Sequence, residues 1–136
     1  MSRTRPRIVL PVAAMLALAG CAAGASPDGR VPDDTIIRTI AGLDGVDASD
    51  VRFDDSFGNG SRYLGDVEVA RDADAGCVLV QTLGLLKQGR PGVALSSVAV
   101  RQGDLVLTLN DLTTEQAREL NATTAPADGT PRVPVC

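Results

Sequence analysis

The 136-residue chain has no histidine and no tryptophan, one tyrosine, two phenylalanines and a single lysine, Lys87. Without histidine there is no Ser-His-Asp or Cys-His nucleophile system, no imidazole general base and none of the usual His-containing zinc sites. An aromatic content of 2% leaves too few rings for a platform on which bases or sugars could stack. The formal charge of -4 supplies no basic footprint for a phosphate backbone. Catalysis, a cofactor and nucleic-acid partners are therefore not expected, and the length allows one domain at most.

What is present begins with address information. Arg3, Arg5 and Arg7 precede an uncharged, mostly apolar run from Ile8 to Gly20, which is a signal-peptide pattern. The run is shorter than the roughly 20 apolar residues needed to cross a bilayer, and Pro11 weakens it further as a helix. It ends in Leu18-Ala19-Gly20-Cys21, which resembles the lipobox of bacterial lipoproteins. The resemblance, confined to residues 1–21, implies that the Cys21 thiol is diacylated and that the chain is cut after a signal peptide of residues 1–20. An ordinary secretory signal and an uncleaved cytosolic helix are the alternatives. Cysteine suits the position because a thiolate is nucleophilic enough to take a lipid. Two acyl chains, at about 0.8 kcal/mol per buried methylene, then make a stable anchor. The implied location is the extracytoplasmic face of the cell membrane, with the lipid bilayer as partner through Cys21. Residues 21–32, with Gly24, Ser26, Pro27, Gly29 and Pro32, read as a flexible tether. Twelve arginines against one lysine, with abundant Ala, Gly and Asp, add a likeness to small actinobacterial lipoproteins, which carries no biochemical role.

Without the three signal arginines, 10 basic residues face 17 acidic ones, and 11 of the acids lie between Asp33 and Asp74. Such a field repels an anionic surface, and its ordinary use is solubility. Asp33-Asp34-Thr35 supplies capping side chains ahead of Ile36, Ile37, Ile40 and Leu43, so a helix is predicted over about 34–43. Val51 and Phe53 alternate with charged residues as a strand. After the turn cluster Asp55–Ser61, Tyr63, Gly65, Val67 and Val69 alternate with Leu64, Asp66 and Glu68, completing a hairpin. A second helix opens at Asp72, carries Leu79, Val80, Leu83 and Leu86, and stops at Gly89 before Pro91. Ser96–Arg101 and Leu105–Leu109 read as strands joined at Gln102-Gly103-Asp104, and Thr113–Gln116 is a capping-box start for a short helix through Leu120.

The segments Gly45–Phe53 and Gly92–Val100 share Gly, Val, Ser and Val at a constant offset, which suggests two repeats, 33–70 and 72–110. The α+β order αββαββ(α) over residues 33–121 folds most economically as a four-stranded antiparallel sheet with two helices on one face. This resembles a permuted ferredoxin-like sandwich. Its open face would be covered by Arg52, Asp54, Asp66, Glu68 and Arg101. Residues 122–136 form a tail in which Pro126, Pro131 and Pro134 forbid regular structure. With Cys21 lipidated, Cys77 and Cys136 remain as an even pair and read as a disulfide. Cys77 lies about 160° round the helix from Leu79, so the tail should cross the helix's outer side, with Val133 and Val135 covering Val78 and Leu85.

Other candidate chemistry is thin. Asp44, Asp47, Asp50, Asp54, Asp55 and Asn59 offer hard oxygens but lack EF-hand spacing, so turn and cap roles are expected and no metal is assigned. Ser56 and Ser61 lack a G-x-S-x-G setting. Phe57, on the hairpin tip, is a possible partner contact. The rhythm Val51-x-Phe53, Leu64-Gly65-Asp66-Val67, Gly92-Val93 and Val98 is similar to the BON domain of envelope proteins, which implies association with phospholipid. The leading expectation is a membrane-tethered, noncatalytic interaction or accessory module of the cell envelope with a protein partner there. A small-ligand or lipid binder is the alternative, and a cavity above roughly 300 Å³ among Ile36, Ile40, Leu79 and Leu83 would mark it.

Overall fold

The computed structural model describes residues 30–56, 58 and 60–136. Among them are three α-helices and five strands in an α+β arrangement. The elements are α1 (Asp33–Ala41), β1 (Val46–Ser49), β2 (Arg52–Asp54), β3 (Arg62–Val69), α2 (Ala75–Gly89), β4 (Ala94–Gln102), β5 (Leu105–Thr108) and α3 (Thr114–Ala122), with a 3₁₀ turn at Leu109–Asp111 before α3.

The sheet is mixed, not antiparallel throughout as the hairpin pattern suggested. β1 and β2 both pair antiparallel with β3, one after the other along the same edge; β3 pairs parallel with β4, and β4 antiparallel with β5. The cause is α2. A 15-residue helix between two neighbouring strands carries the chain back to the end of the sheet at which β3 began, and the next strand then runs parallel to it. As a consequence β1 and β4, the first strands of the two proposed repeats, run in opposite directions.

The outer strand expected around Val51 and Phe53 is two short strands with a break at Asp50–Val51. Val51 turns into the core there, and Gly65 of β3, at φ 127°, lies opposite. A Cβ on Gly65 would stand 2.7 Å from the Asp50 carbonyl oxygen and 2.8 Å from the Val51 Cα, so only glycine lets the broken strand close on β3.

One face of the sheet is covered by α1 and α2, which pack against each other. Ile36 and Ile40 of α1, Leu79, Leu83, Leu85 and Leu86 of α2, and Tyr63, Val67, Val98 and Val100 of the sheet are buried in a single cluster. α2 is apolar nearly all round because each side has a neighbour: the sheet, α1, α3 and the C-terminal tail. Its N-cap is Asp74, whose carboxylate accepts from the Cys77 N–H, two residues later than the predicted start at Asp72. The predicted capping box of the last helix is present, with Thr113 and Gln116 bonding each other's backbone N–H.

Candidate functional site

Cys21, Phe57 and Asn59, three of the residues singled out from the sequence, lie outside the described residues, as do the signal peptide 1–20 and tether residues 21–29. The rest fall into three places: the open sheet face, the strapped side of α2, and the junction where the described chain begins.

Strand alternation and register place Arg52, Asp54, Asp66, Glu68 and Arg101 together on the face opposite the helices, with Ala48, Leu64, Ser97, Ala99, Val106 and Thr108. Arg101 pairs with Asp66 at 2.8 Å and Arg62 with Asp54 at 3.7 Å, so the face is self-neutralising along its length. The Asp54 carboxyl is held below the usual range, first by hydrogen bonds from the Ser56 hydroxyl and backbone N–H, then by Arg62 and Arg52. Asp50 spends its carboxylate on the Asp66 N–H at 2.5 Å. Asp50 and Asp54 thus do turn and strand-edge work, and among the described residues no group of three or more potential ligands is placed to hold a metal. Val106 on this face and Leu105 beside it are 42% and 47% exposed, forming an apolar end to β5, the far strand of the sheet.

The tail runs along α2 in the direction opposite to the helix. Gln88, 4% exposed, clasps one residue of it: its amide nitrogen donates to the Arg132 carbonyl at 2.6 Å, and its amide oxygen accepts from the Arg132 N–H at 2.7 Å. Further along, Gln81 donates to the Pro134 carbonyl at 3.2 Å. Between them Gly84 makes room, since a Cβ there would stand 2.5 Å from the Pro134 ring. Cys77 and Cys136 are disulfide-bonded at the end, with Cα atoms 5.5 Å apart. These four helix positions, 77, 81, 84 and 88, form one stripe at 100° per residue. Val133 and Val135 do not serve as the covering residues. They point away, Val135 being 92% exposed, because alternate side chains of an extended segment face opposite ways and Pro134 takes the inward position.

At the other end of α2 is a lock that the sequence reading missed. Arg90 donates to both carboxylate oxygens of Asp33, at 2.6 to 3.0 Å, and the Tyr63 hydroxyl donates to the same carboxylate at 2.6 Å. The Arg90 guanidinium also lies 3.6 Å over the Phe53 ring, which meets Tyr63 edge to face at 5.5 Å. Burial raises the Asp33 pKa, but the hydrogen bonds from Arg90 and Tyr63 and the charges of Arg90 and Arg30 outweigh it, so the carboxyl is held below its ordinary value. Burial and Asp33 push the Tyr63 phenol far above its ordinary value. A phenol held protonated and a carboxylate held ionised are poor acid–base partners at neutral pH, and together they form a structural clasp. Asp33, expected as a capping residue, is instead the first residue of α1 with its carboxylate on Arg90 and Tyr63; the N-cap position is Pro32, so α1 starts without a side-chain cap.

Cavities do not follow the binder pattern. Ile36, Ile40, Leu79 and Leu83 are buried to 2% or less, and the cleft that reaches Leu83 offers about 40 Å³ between α2, α3 and the tail. Lys87 donates to the Asn121 side-chain oxygen at 3.3 Å, tying α2 to α3. No helix among the described residues is long and apolar enough to cross a membrane. The chain matches no family model, no curated protein and no solved structure.

Proposed function

We propose that the chain is an extracytoplasmic lipoprotein, anchored through Cys21, whose domain acts as a noncatalytic interaction or accessory module of the cell envelope. The observation that carries the module reading is the pairing of a solid core with a charge-balanced sheet face that no helix among the described residues covers, and on which Arg52, Asp54, Asp66, Glu68 and Arg101 converge. A face of paired charges ending in exposed Val106, with Leu105 at the same strand end on the other side, suits a protein partner, since a polar rim beside a small apolar patch is how protein interfaces are composed. The filled space among Ile36, Ile40, Leu79 and Leu83 counts against the BON-like small-ligand or lipid binder, which needs a pocket of roughly 300 Å³ or more. In architectural terms the domain keeps the helix layer and open face of a permuted ferredoxin-like sandwich, while the adjacency of β3 and β4 departs from it.

Two measurements test this. Cys21→Ala abolishes membrane retention and incorporation of a fatty-acid analogue; equal labelling of variant and wild type sinks the anchor. A photo-crosslinker placed at Ser97 or Ala99 captures an envelope protein in intact cells, whereas one at Arg118 on exposed α3 does not; equal capture at both sinks the face.

A further inference from the structure

We propose that Cys77–Cys136 is a thiol-exchange site, opened by a partner dithiol that attacks Cys136, and not a permanent staple. The assignment is independent of the lipoprotein reading. It starts from access: Cys136 is an exposed residue next to Val135, while Cys77 is half-buried on α2. An open cleft of about 340 Å³ borders the disulfide, lined by Asp74, Gly76, Cys77, Val80, Gln116 and Glu119, so an incoming thiol has room to approach. Cys77 is the third residue of α2, with its N–H bonded to the Asp74 carboxylate, and it is the sulfur that leaves because Cys136 is the more exposed one. Besides the disulfide, the tail is held by Gln81, Gln88 and the packing of Pro134 on Gly84, all on the outer stripe of α2, so the bond can open without disturbing the core or the Asp33–Arg90–Tyr63 lock.

The step balances as follows. A partner thiolate attacks the Cys136 Sγ, a mixed disulfide forms, and the Cys77–Cys136 bond breaks with its electron pair leaving on the Cys77 Sγ, which takes a proton from water. The partner's second thiol, deprotonated, attacks its own sulfur in the mixed disulfide and releases the Cys136 thiolate, which is protonated in turn. The partner dithiol is oxidised to a disulfide and this chain gains two electrons and two protons.

The cleft also selects. Asp74 and Glu119 both line it, so a thiolate that carries further negative charge meets the strongest repulsion, and one balanced by a neighbouring cation meets the least. The partner fitted is therefore a protein dithiol with a neutral or basic approach surface, and the anionic tripeptide glutathione is disfavoured.

The test uses the oxidised full chain under native conditions with cysteamine, 2-mercaptoethanol and glutathione at equal thiolate concentration. Each rate is divided by that for a neutral, unstructured disulfide peptide to remove intrinsic reactivity. Acid quenching, alkylation and peptide mapping by mass spectrometry separate Cys77 and Cys136 from Cys21. Expected are rates that rise linearly with thiolate, first adducts on Cys136, and glutathione several-fold slower than cysteamine. The double variant Asp74→Asn, Glu119→Gln brings that ratio close to one; asparagine still caps α2, so the fold is kept. Adducts on Cys77, rates that plateau at the global unfolding rate for all three thiols, or no dependence on thiol charge each overturn the proposal.

Discussion

Gly84 sits inside α2, where glycine costs about 1 kcal/mol against alanine, so its presence needs a reason. The reason is Pro134. A Cβ at position 84 would lie 2.5 Å from the Pro134 Cγ, about 1 Å inside a normal carbon contact of 3.5 Å or more. Gly84→Ala therefore forces the tail outward by about 1 Å. The Gln81 bond, already 3.2 Å long, breaks, and the two Gln88 bonds stretch out of range. Each hydrogen bond contributes about 0.5–1.5 kcal/mol net, and the buried Gln88 amide is left without partners. Set against the helix-propensity gain of about 1 kcal/mol, the net loss is about 1–2 kcal/mol, or a fall in Tm of roughly 5–10 °C for a domain of this size. In a chain ending at Gly129 no tail opposes the methyl group, and the same substitution stabilises by about 1 kcal/mol. Urea titration followed by far-UV circular dichroism reads both. The change of sign is the point: a Gly84→Ala effect of the same sign with and without residues 130–136 would refute the close approach as the reason for glycine.

Asp33 makes stability pH-dependent. Its folded pKa is lowered from 3.8, so its contribution is complete above that value and is lost as pH falls through the lowered one; Asp33→Asn flattens this acid limb in urea melts at stepped pH, and an unchanged slope rules out the assignment. Thr82 is fully buried and its hydroxyl has no hydrogen-bond partner, so Thr82→Val, of nearly the same shape, raises stability by about 1 kcal/mol in the same titration; a loss would mean that the hydroxyl is satisfied in solution. Gly65→Ala places a side chain at φ 127° and 2.7 Å from the Asp50 carbonyl, and lowers stability by about 2 kcal/mol or more, with amide exchange rising at β1 and β2 before the rest of the sheet.

Elements were legible in the sequence where periodicity and caps agree. The Thr113–Gln116 box, the hairpin rhythm from Tyr63 to Val69 and the apolar stripe of α2 all reappear at nearly the predicted residues. Pairing was not legible. Whether β4 lies parallel or antiparallel to β3 depends on where α2 delivers the chain, and no local pattern in Ala94–Gln102 records that. The lock at Asp33 was hidden for a related reason: Asp33 and Arg90 are 57 residues apart, and each has a sufficient local explanation, one as a cap and the other as the residue after a helix-ending glycine. The strap left a trace that was present but unread. Cys77, Gln81, Gly84 and Gln88 recur at helical spacing, and a mid-helix glycine flanked by two glutamines on one stripe marks a face that receives backbone, because amide side chains can satisfy a peptide group in both directions. Tail orientation failed on parity: with Pro134 inward, Val133 and Val135 must face out.

Both ends of the domain are fastened to α2, at opposite ends of a helix about 22 Å long. The chain enters through buried Val31, and Asp33 is gripped there by Arg90 and Tyr63, so on the lipoprotein reading any tension from a tether over residues 21–30 would be borne by charge-assisted bonds to the rim of the helix layer. On the lipoprotein reading that tether reaches at most about 30 Å from the anchor when fully extended. The disulfide lies at the other end of α2, about 20 Å further along the helix axis. The two fasteners also differ in chemistry. The N-terminal fastening is an ion pair that no reductant affects, while the covalent bond stands at the other end of α2, where opening it frees the tail and leaves the Asp33 fastening intact. A domain whose only need was a staple would gain the same loop-closure stabilisation, about 4 kcal/mol for a separation of 59 residues, from a bond buried anywhere along the helix. Placing it on an exposed residue beside an open cleft adds access without adding stability, and access matters only if something arrives to use it.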